Sequence, residues 1–142
     1  MSQENVEIVQ RHVAAYNRRD FEALRKLSHP ELEVDWSASR GLEARVYRGL
    51  EEALGFYEGF LDTFEQVEIE PSRLIKSGDS VVVPNTAYVR GRDGIETVAR
   101  STLIFEFHGG LVARICLYQE KHEALEAAGV REEERRPGRG RI

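Results

Sequence analysis

Cysteine and tryptophan each occur once in this 142-residue chain, as Cys116 and Trp36. A lone cysteine excludes an internal disulfide and fits a reducing compartment, so a cytoplasmic protein is expected. No apolar run approaches the roughly 18 residues a membrane span needs, and no membrane partner is expected. The amino terminus opens on Ser2-Gln3-Glu4-Asn5, with no basic stretch leading into an apolar block, which argues against a secretory leader. Basic charge is in deficit: 20 Lys and Arg stand against 25 Asp and Glu, a net charge of −5. Nucleic-acid binding needs a concentrated basic surface, so that class is disfavoured. The four histidines, His12, His29, His108 and His122, have no ligand spacing with one another or with Cys116, and no metal is expected. Neither a glycine-rich phosphate loop nor a dinucleotide fingerprint occurs, so no cofactor is expected.

What is present is an ordinary globular composition, 41% hydrophobic and 32% charged, in a chain long enough for one core. Val6, Val9, Val13 and Tyr16 recur at helical spacing and predict a first helix over 4–18. Asp20 is placed to cap a short second helix carrying Phe21, Leu24 and Leu27, which Pro30 ends. Leu32-Glu33-Val34-Asp35-Trp36 alternates as a half-buried strand does. A loop over 37–49, with a short extended piece near Val46-Tyr47, leads to a third helix over 50–64. Leu50, Leu54, Tyr57, Leu61 and Phe64 form the stripe of that helix, with Ala53 and Phe60 alongside.

The period then changes to two. Strands are predicted over 66–75, 81–91, 95–108 and 111–119, separated by Ser77-Gly78-Asp79, Gly91-Arg92-Asp93-Gly94 and His108-Gly109-Gly110, which read as hairpin turns. Pro84 inside one of these runs points to an edge or a bulge. A last helix over 121–128 is expected before Gly129, followed by a charged, disordered tail from about 130. Helices followed by an antiparallel meander define an α+β class, a single domain over 1–129.

Val9-Gln10-Arg11-His12-Val13-Ala14-Ala15-Tyr16-Asn17 followed by Asp20-Phe21-Glu22-Ala23-Leu24 resembles the opening helices of the nuclear-transport-factor-2-like superfamily. Tyr47-Arg48-Gly49, Ser77-Gly78-Asp79-Ser80-Val81-Val82-Val83 and Glu123-Ala124-Leu125-Glu126-Ala127-Ala128-Gly129 resemble its SnoaL-like polyketide cyclase branch. The resemblance implies a cone-shaped roll, a curved antiparallel sheet closed by the first helices, and a homodimer formed through the sheet. It spans ketosteroid isomerases, cyclases, epoxide hydrolases and dehydratases, so it does not fix a reaction. It also implies site positions. His12 matches the helix position where the isomerases hold an oxyanion-stabilising tyrosine. Asp35 lies one residue from the position of their proton-shuttling carboxylate, which Trp36 occupies. Leu103 stands where they hold a second acid and where SnoaL-like relatives often carry histidine.

In the register this resemblance implies, alternation sorts the strands into two faces. The concave face is assigned Val34, Trp36, Val83, Asn85, Ala87, Val89, Ala99, Ser101, Leu103, Phe105, Ile115, Leu117 and Gln119, with His12, Tyr16, Tyr57 and Phe60 added from the helices. His12 reads as a general acid or base, or as a histidine bonded to a neighbour at the edge of the core. Tyr16 reads as a hydrogen-bond donor to a developing oxyanion, or as a core tyrosine. Asn85 either orients a ligand or satisfies backbone made irregular by Pro84. Asp35 falls on the opposite face by alternation unless a bulge turns it inward. Three functions follow from these readings. The chain is a cofactor-free acid–base enzyme acting on a small hydrophobic molecule, a non-catalytic carrier of such a molecule, or a dimerising module with a filled cone.

Overall fold

A computed structural model describes residues 2–39 and 44–119. The expected helix over 121–128 and the charged tail lie outside the described residues. The chain runs through α1 (Ser2–Asn17), α2 (Phe21–Leu27), β1 (Ser28–Asp35), β2 (Val46–Arg48), α3 (Leu50–Thr63), β3 (Phe64–Pro71), β4 (Ile75–Ser77), β5 (Ser80–Gly91), β6 (Glu96–His108) and β7 (Leu111–Tyr118). Among the described residues three helices pack on one curved, unclosed sheet whose strand order is β2-β1-β7-β6-β5-β3, with β4 also pairing β5. The α+β class expected from the sequence is observed, with the main core between helices and sheet and a small second cluster of Val82, Ile104 and Cys116.

The breaks between elements have local causes. Helix α1 ends where Arg19 takes a left-handed conformation (φ 58°), and the Asp20 and Arg19 amides turn back onto the carbonyls of Ala15 and Tyr16. Asp20 then caps α2, its Oδ1 accepting from the Ala23 amide at 3.0 Å. Ahead of α3, Gly49 sits at φ 92°, a conformation costly for any side chain, while its N–H donates to the Leu32 carbonyl at 2.8 Å. That bond ties the start of α3 to β1. Burial of Ala53, Leu54, Tyr57 and Leu61 holds α3 despite Gly55 and Gly59, both on its exposed side.

Three features differ from expectation. Pro30 lies inside β1 rather than ending α2, because the strand already begins at Ser28. The run over 66–75 is two strands, β3 and β4, with the break at 72–74. This break explains Pro84. Proline lacks the N–H an interior strand must donate, yet β5 lies between β6 and β3. Pro84 faces the interruption between β3 and β4, where its carbonyl accepts from the Ser72 amide at 2.7 Å. Finally, the sheet is mixed, since β1 pairs β7 in parallel. Such a pairing joins strands some 80 residues apart in sequence and leaves no turn signal. The far edge, β3, is partly closed by a side chain: Asn17 donates to the Ile69 carbonyl at 2.9 Å and accepts from its amide at 2.8 Å, as a neighbouring strand would.

Candidate functional site

Helices and concave sheet enclose a cavity of about 270 Å³. Helix α1 contributes His12, Val13 and Tyr16, and α3 contributes Tyr57 and Phe60. Strand β3 supplies Val67 and Ile69, and β5 supplies Asn85, Ala87 and Val89. From β6 come Ala99, Ser101, Leu103 and Phe105; Leu117, Gln119, Trp36 and Ser39 complete the wall. The positions are those that alternation selects. The register pairs Ala87 with Ala99, Asn85 with Ser101 and Val83 with Leu103, and Leu103 with Leu117 on the next strand.

His12 is the most unusual group in this wall. It is 2% exposed, and neither ring nitrogen has a hydrogen-bond partner. Its ring stands edge-on to Phe105 (centroids 5.3 Å) and to Tyr57 (6.3 Å). Desolvation by burial pulls its pKa down to about 4, so the imidazole is neutral at pH 7. A buried polar group without a partner is costly and calls for an explanation. Tyr16 and Tyr57 meet edge-on at 5.0 Å, and burial drives both phenols above their ordinary range, the nearby Arg19 opposing this at Tyr16. Both remain protonated donors.

Asn85, 3% exposed, is held at both ends of its amide. Its Nδ2 donates to the Val83 carbonyl at 3.1 Å, and its Oδ1 accepts from the Ser101 hydroxyl at 3.2 Å. The amide thus satisfies its own strand and keeps one N–H that neither of these bonds uses. Trp36 is braced from behind by Phe56 (5.4 Å, edge-on), itself stacked on Tyr47 at 4.1 Å.

Asp35 is not part of the wall. It pairs on the outer face with Arg114 (Nη2 to Oδ2, 2.9 Å) and accepts from the Ser37 amide at 3.0 Å. Partial burial works against its ionisation, but the Ser37 hydrogen bonds and Arg114 outweigh it and hold the carboxyl below its ordinary value. Every other site candidate (His12, Tyr16, Trp36, Tyr57, Phe60, Asn85, Ser101, Leu103, Phe105, Leu117 and Gln119) lines the cavity. Val34, Val83 and Ile115, also assigned to the concave face, are in the packed core without reaching the cavity. Sequence reasoning did not place Val13, Ser39, Val67 and Ile69 in the wall. The alternation of Val67 and Ile69 marked one face of β3, but nothing showed which face pointed inward. Ser39 lies in an aperiodic loop and gave no signal.

The fold also brings His29 and His108 into ring contact at 5.3 Å, across a spacing that suggested no pairing. Among the described residues no three His, Cys, Asp or Glu side chains gather in a way that could hold a metal ion. No helix among them is long and apolar enough to cross a membrane.

With this geometry in view, comparison with known proteins assigns the family. The SnoaL-like domain profile matches residues 9–115. The chain belongs to the SnoaL-like domain family. Solved structures share its fold at low identity. Bal32a, from a soil-derived mobile gene cassette, is 20% identical with a TM-score of 0.77, over 89% of this chain and 96% of its own. TerC, co-crystallised with polyporic acid, is 19% identical with a TM-score of 0.73, over 89% and 98%. An NTF2-like protein of unknown function from Burkholderia pseudomallei is 18% identical with a TM-score of 0.73, over 87% and 95%. A comparison with curated proteins finds no match. At these identities the neighbours establish the fold of this SnoaL-like domain and leave its chemistry to its own side chains.

Proposed function

We propose that this SnoaL-like domain uses its cone to bind a small apolar molecule, with His12 as the principal polar contact. The observation that carries this reading is the imidazole itself: buried, uncharged, without a partner, and facing a cavity otherwise built largely from hydrocarbon. A ligand hydrogen-bonded to His12 would remove the cost of that unpaired group. That TerC, of the same fold, was crystallised with a small organic molecule agrees with this use of the cone. Ligand-observed NMR against a panel of small cyclic compounds tests it. Binding should be lost when Ala99, in the wall, is enlarged (Ala99→Phe) while the fold is retained. An absence of binding across the panel, with the His12 ring unperturbed, would overturn the reading in favour of a filled cone.

A second reading, cofactor-free catalysis, has one specific observation in its favour. His12 and Tyr16 are neutral donors in a desolvated wall, the kind of group that stabilises negative charge developing on a carbonyl oxygen. The described residues of the wall supply no matching base. No carboxylate is among its described residues, and an imidazole of pKa about 4 is a weak acceptor for a carbon-bound proton. Solvent exchange of the α-protons of a bound cyclic ketone separates the two readings. Catalysis requires exchange that falls at least about tenfold in His12→Phe without a matching loss of binding.

A further inference from the structure

We infer that the overhanging end of β6 is an interface for a second copy of this chain, joined edge to edge by antiparallel pairing of residues 96–100 about a two-fold axis at Val98. The contact is between strand edges, not between the outer faces of two sheets.

The first ground is an open edge. Strand β6 pairs β5 from Glu96 onward, but β7 accompanies it only from Thr102. Along 96–101 its other side has no strand among the described residues. The Gly91 amide donates to the Ile95 carbonyl at 2.9 Å, and this bond fixes the alternation. Ile95, Thr97 and Ala99 turn their backbone groups toward β5, and Glu96, Val98 and Arg100 turn theirs outward. An uncovered row of amides and carbonyls is a template for another strand. By contrast, β2 is only three residues long, and Asn17 takes up part of the β3 edge.

The second ground is apolar exposure. Tyr88, Ile95 and Val98 are 44%, 63% and 59% exposed, the large apolar side chains that stand open among the described residues. All three lie at this end of the β5–β6 hairpin, where Tyr88 is the cross-strand neighbour of Val98. No proline, lysine or bulge interrupts residues 96–101 to discourage pairing.

The third ground selects the occupant. Antiparallel pairing centred on Val98 sets Glu96 opposite the partner's Arg100, Arg100 opposite the partner's Glu96, and Val98 against its own copy. Opposite charges in facing positions stabilise such a pair, and like charges oppose it. Moving the axis to Thr97 or Ala99 loses both charge matches. Strands related by this axis keep the same face of the sheet. The partner's Thr97 therefore comes beside Ala99, a residue of the cavity wall, and the second copy continues that wall. So short a pairing belongs to the weak, reversible class of interface, below about 1,200 Å².

The test is sedimentation velocity of the full chain from about 5 μM to 1 mM, a range suited to a small interface, with amide exchange by NMR at both ends of it. The native protein should dimerise as concentration rises. The amides of Glu96, Val98 and Arg100 should exchange fast when dilute and slowly when concentrated, while those of Thr97 and Ala99, bonded to β5, stay slow throughout. Glu96→Arg alone and Arg100→Glu alone each set like charges in both facing positions, and each should weaken the dimer at least about tenfold. Glu96 also pairs with Arg90 of its own chain at 3.4 Å, so Arg100→Glu is the cleaner change. Mixed one to one, the two variants meet as opposites and should recover native association. Val98→Lys puts two ammonium groups at the axis and should abolish it. All three positions are exposed, so the fold should withstand these changes. Three outcomes would each overturn the inference: a chain monomeric over the whole range, a dimer indifferent to the substitutions, as one joined by outer faces would be, or edge amides protected at every concentration, as pairing with residues 120–142 of the same chain would cause.

Discussion

The two faces of the sheet are built from the same strands but differ in charge: the cavity wall has no charged side chain among its described residues, whereas the outer face carries Glu33, Asp35, Glu106 and Arg114 beside a small apolar cluster of Val82, Ile104 and Cys116. On β6, Phe105 points inward and is 1% exposed, whereas its neighbour Glu106 points outward to Arg114. On β1, Val34 packs into the core while Glu33 and Asp35 join that same arginine. A pleat that turns over at each residue puts the charged side chains of these strands on the outer face and leaves the described cavity wall uncharged. The difference shows where this domain keeps its polar chemistry. Its ion pairs sit on the solvent-facing side, where they are screened, and its few inward polar groups are neutral. The comparison can be broken most directly with neighbouring residues. Phe105→Ala should cost about 3–5 kcal/mol in denaturant unfolding, as large-to-small changes in packed cores do. Glu106→Ala should cost about 1 kcal/mol or less. Similar values for the two would mean that the faces do not differ in packing as described.

His12 gives the next largest effect, and it depends on pH. The folded protein holds this imidazole at a pKa of about 4 through burial, below the ordinary 6.5 of the unfolded chain. Above about 6.5 both states are neutral and there is no penalty. As pH falls from there toward 4, the unfolded chain takes up a proton that the folded chain refuses, and stability is lost. The shift corresponds to about 3 kcal/mol across that window. His12→Phe should remove this component, so the native-minus-variant difference in unfolding free energy should slope between pH 6.5 and 4 and be flat above it. A difference that stays flat throughout would show that the ring is not buried neutral.

Most of the fold and much of the cavity wall were legible in the sequence, for a physical reason. Helical period, hairpin turns and alternation are local, and they located α1 to α3, the three hairpins and, with the family resemblance to orient them, the inward row of Asn85, Ser101, Leu103 and Phe105. What was not legible is non-local. The parallel pairing of β1 with β7, the break opposite Pro84, the edge contact of Asn17 and the meeting of His29 with His108 each join residues that no local pattern connects. The charge state of His12 belongs to the same class. Helical spacing placed it near the core, but only the packing of Phe105 and Tyr57 around it explains why it titrates well below neutrality.

Asn85 sharpens the comparison from the inner side. It is a polar residue in an apolar row, held by Val83 and Ser101. Asn85→Ala leaves the Ser101 hydroxyl without its acceptor in a largely apolar wall, and should cost about 1–3 kcal/mol. Asn85→Ala in a Ser101→Ala background should cost less, because the partner left behind is then absent. Additive losses would mean that the two side chains act independently.

The smallest expected effect tests the outer side and removes the position nearest the isomerase carboxylate from the chemistry. Asp35 is paired with Arg114 and Ser37 on the face away from the cavity. Its carboxyl is held below its ordinary value, so its stabilising contribution is present above about pH 4 and disappears as pH falls through the folded pKa. Asp35→Asn keeps the shape and the Ser37 contact and gives up only the charge. The expected change is about 1 kcal/mol or less at neutral pH, reduced further by salt, as for other screened pairs. Affinity for the cyclic compounds that bind the native protein, and any α-proton exchange of a bound cyclic ketone, should be unchanged. A loss of exchange in Asp35→Asn at full ligand affinity would mean that this strand turns inward when the cone is occupied. The neutral interior would then be a property of the empty protein alone.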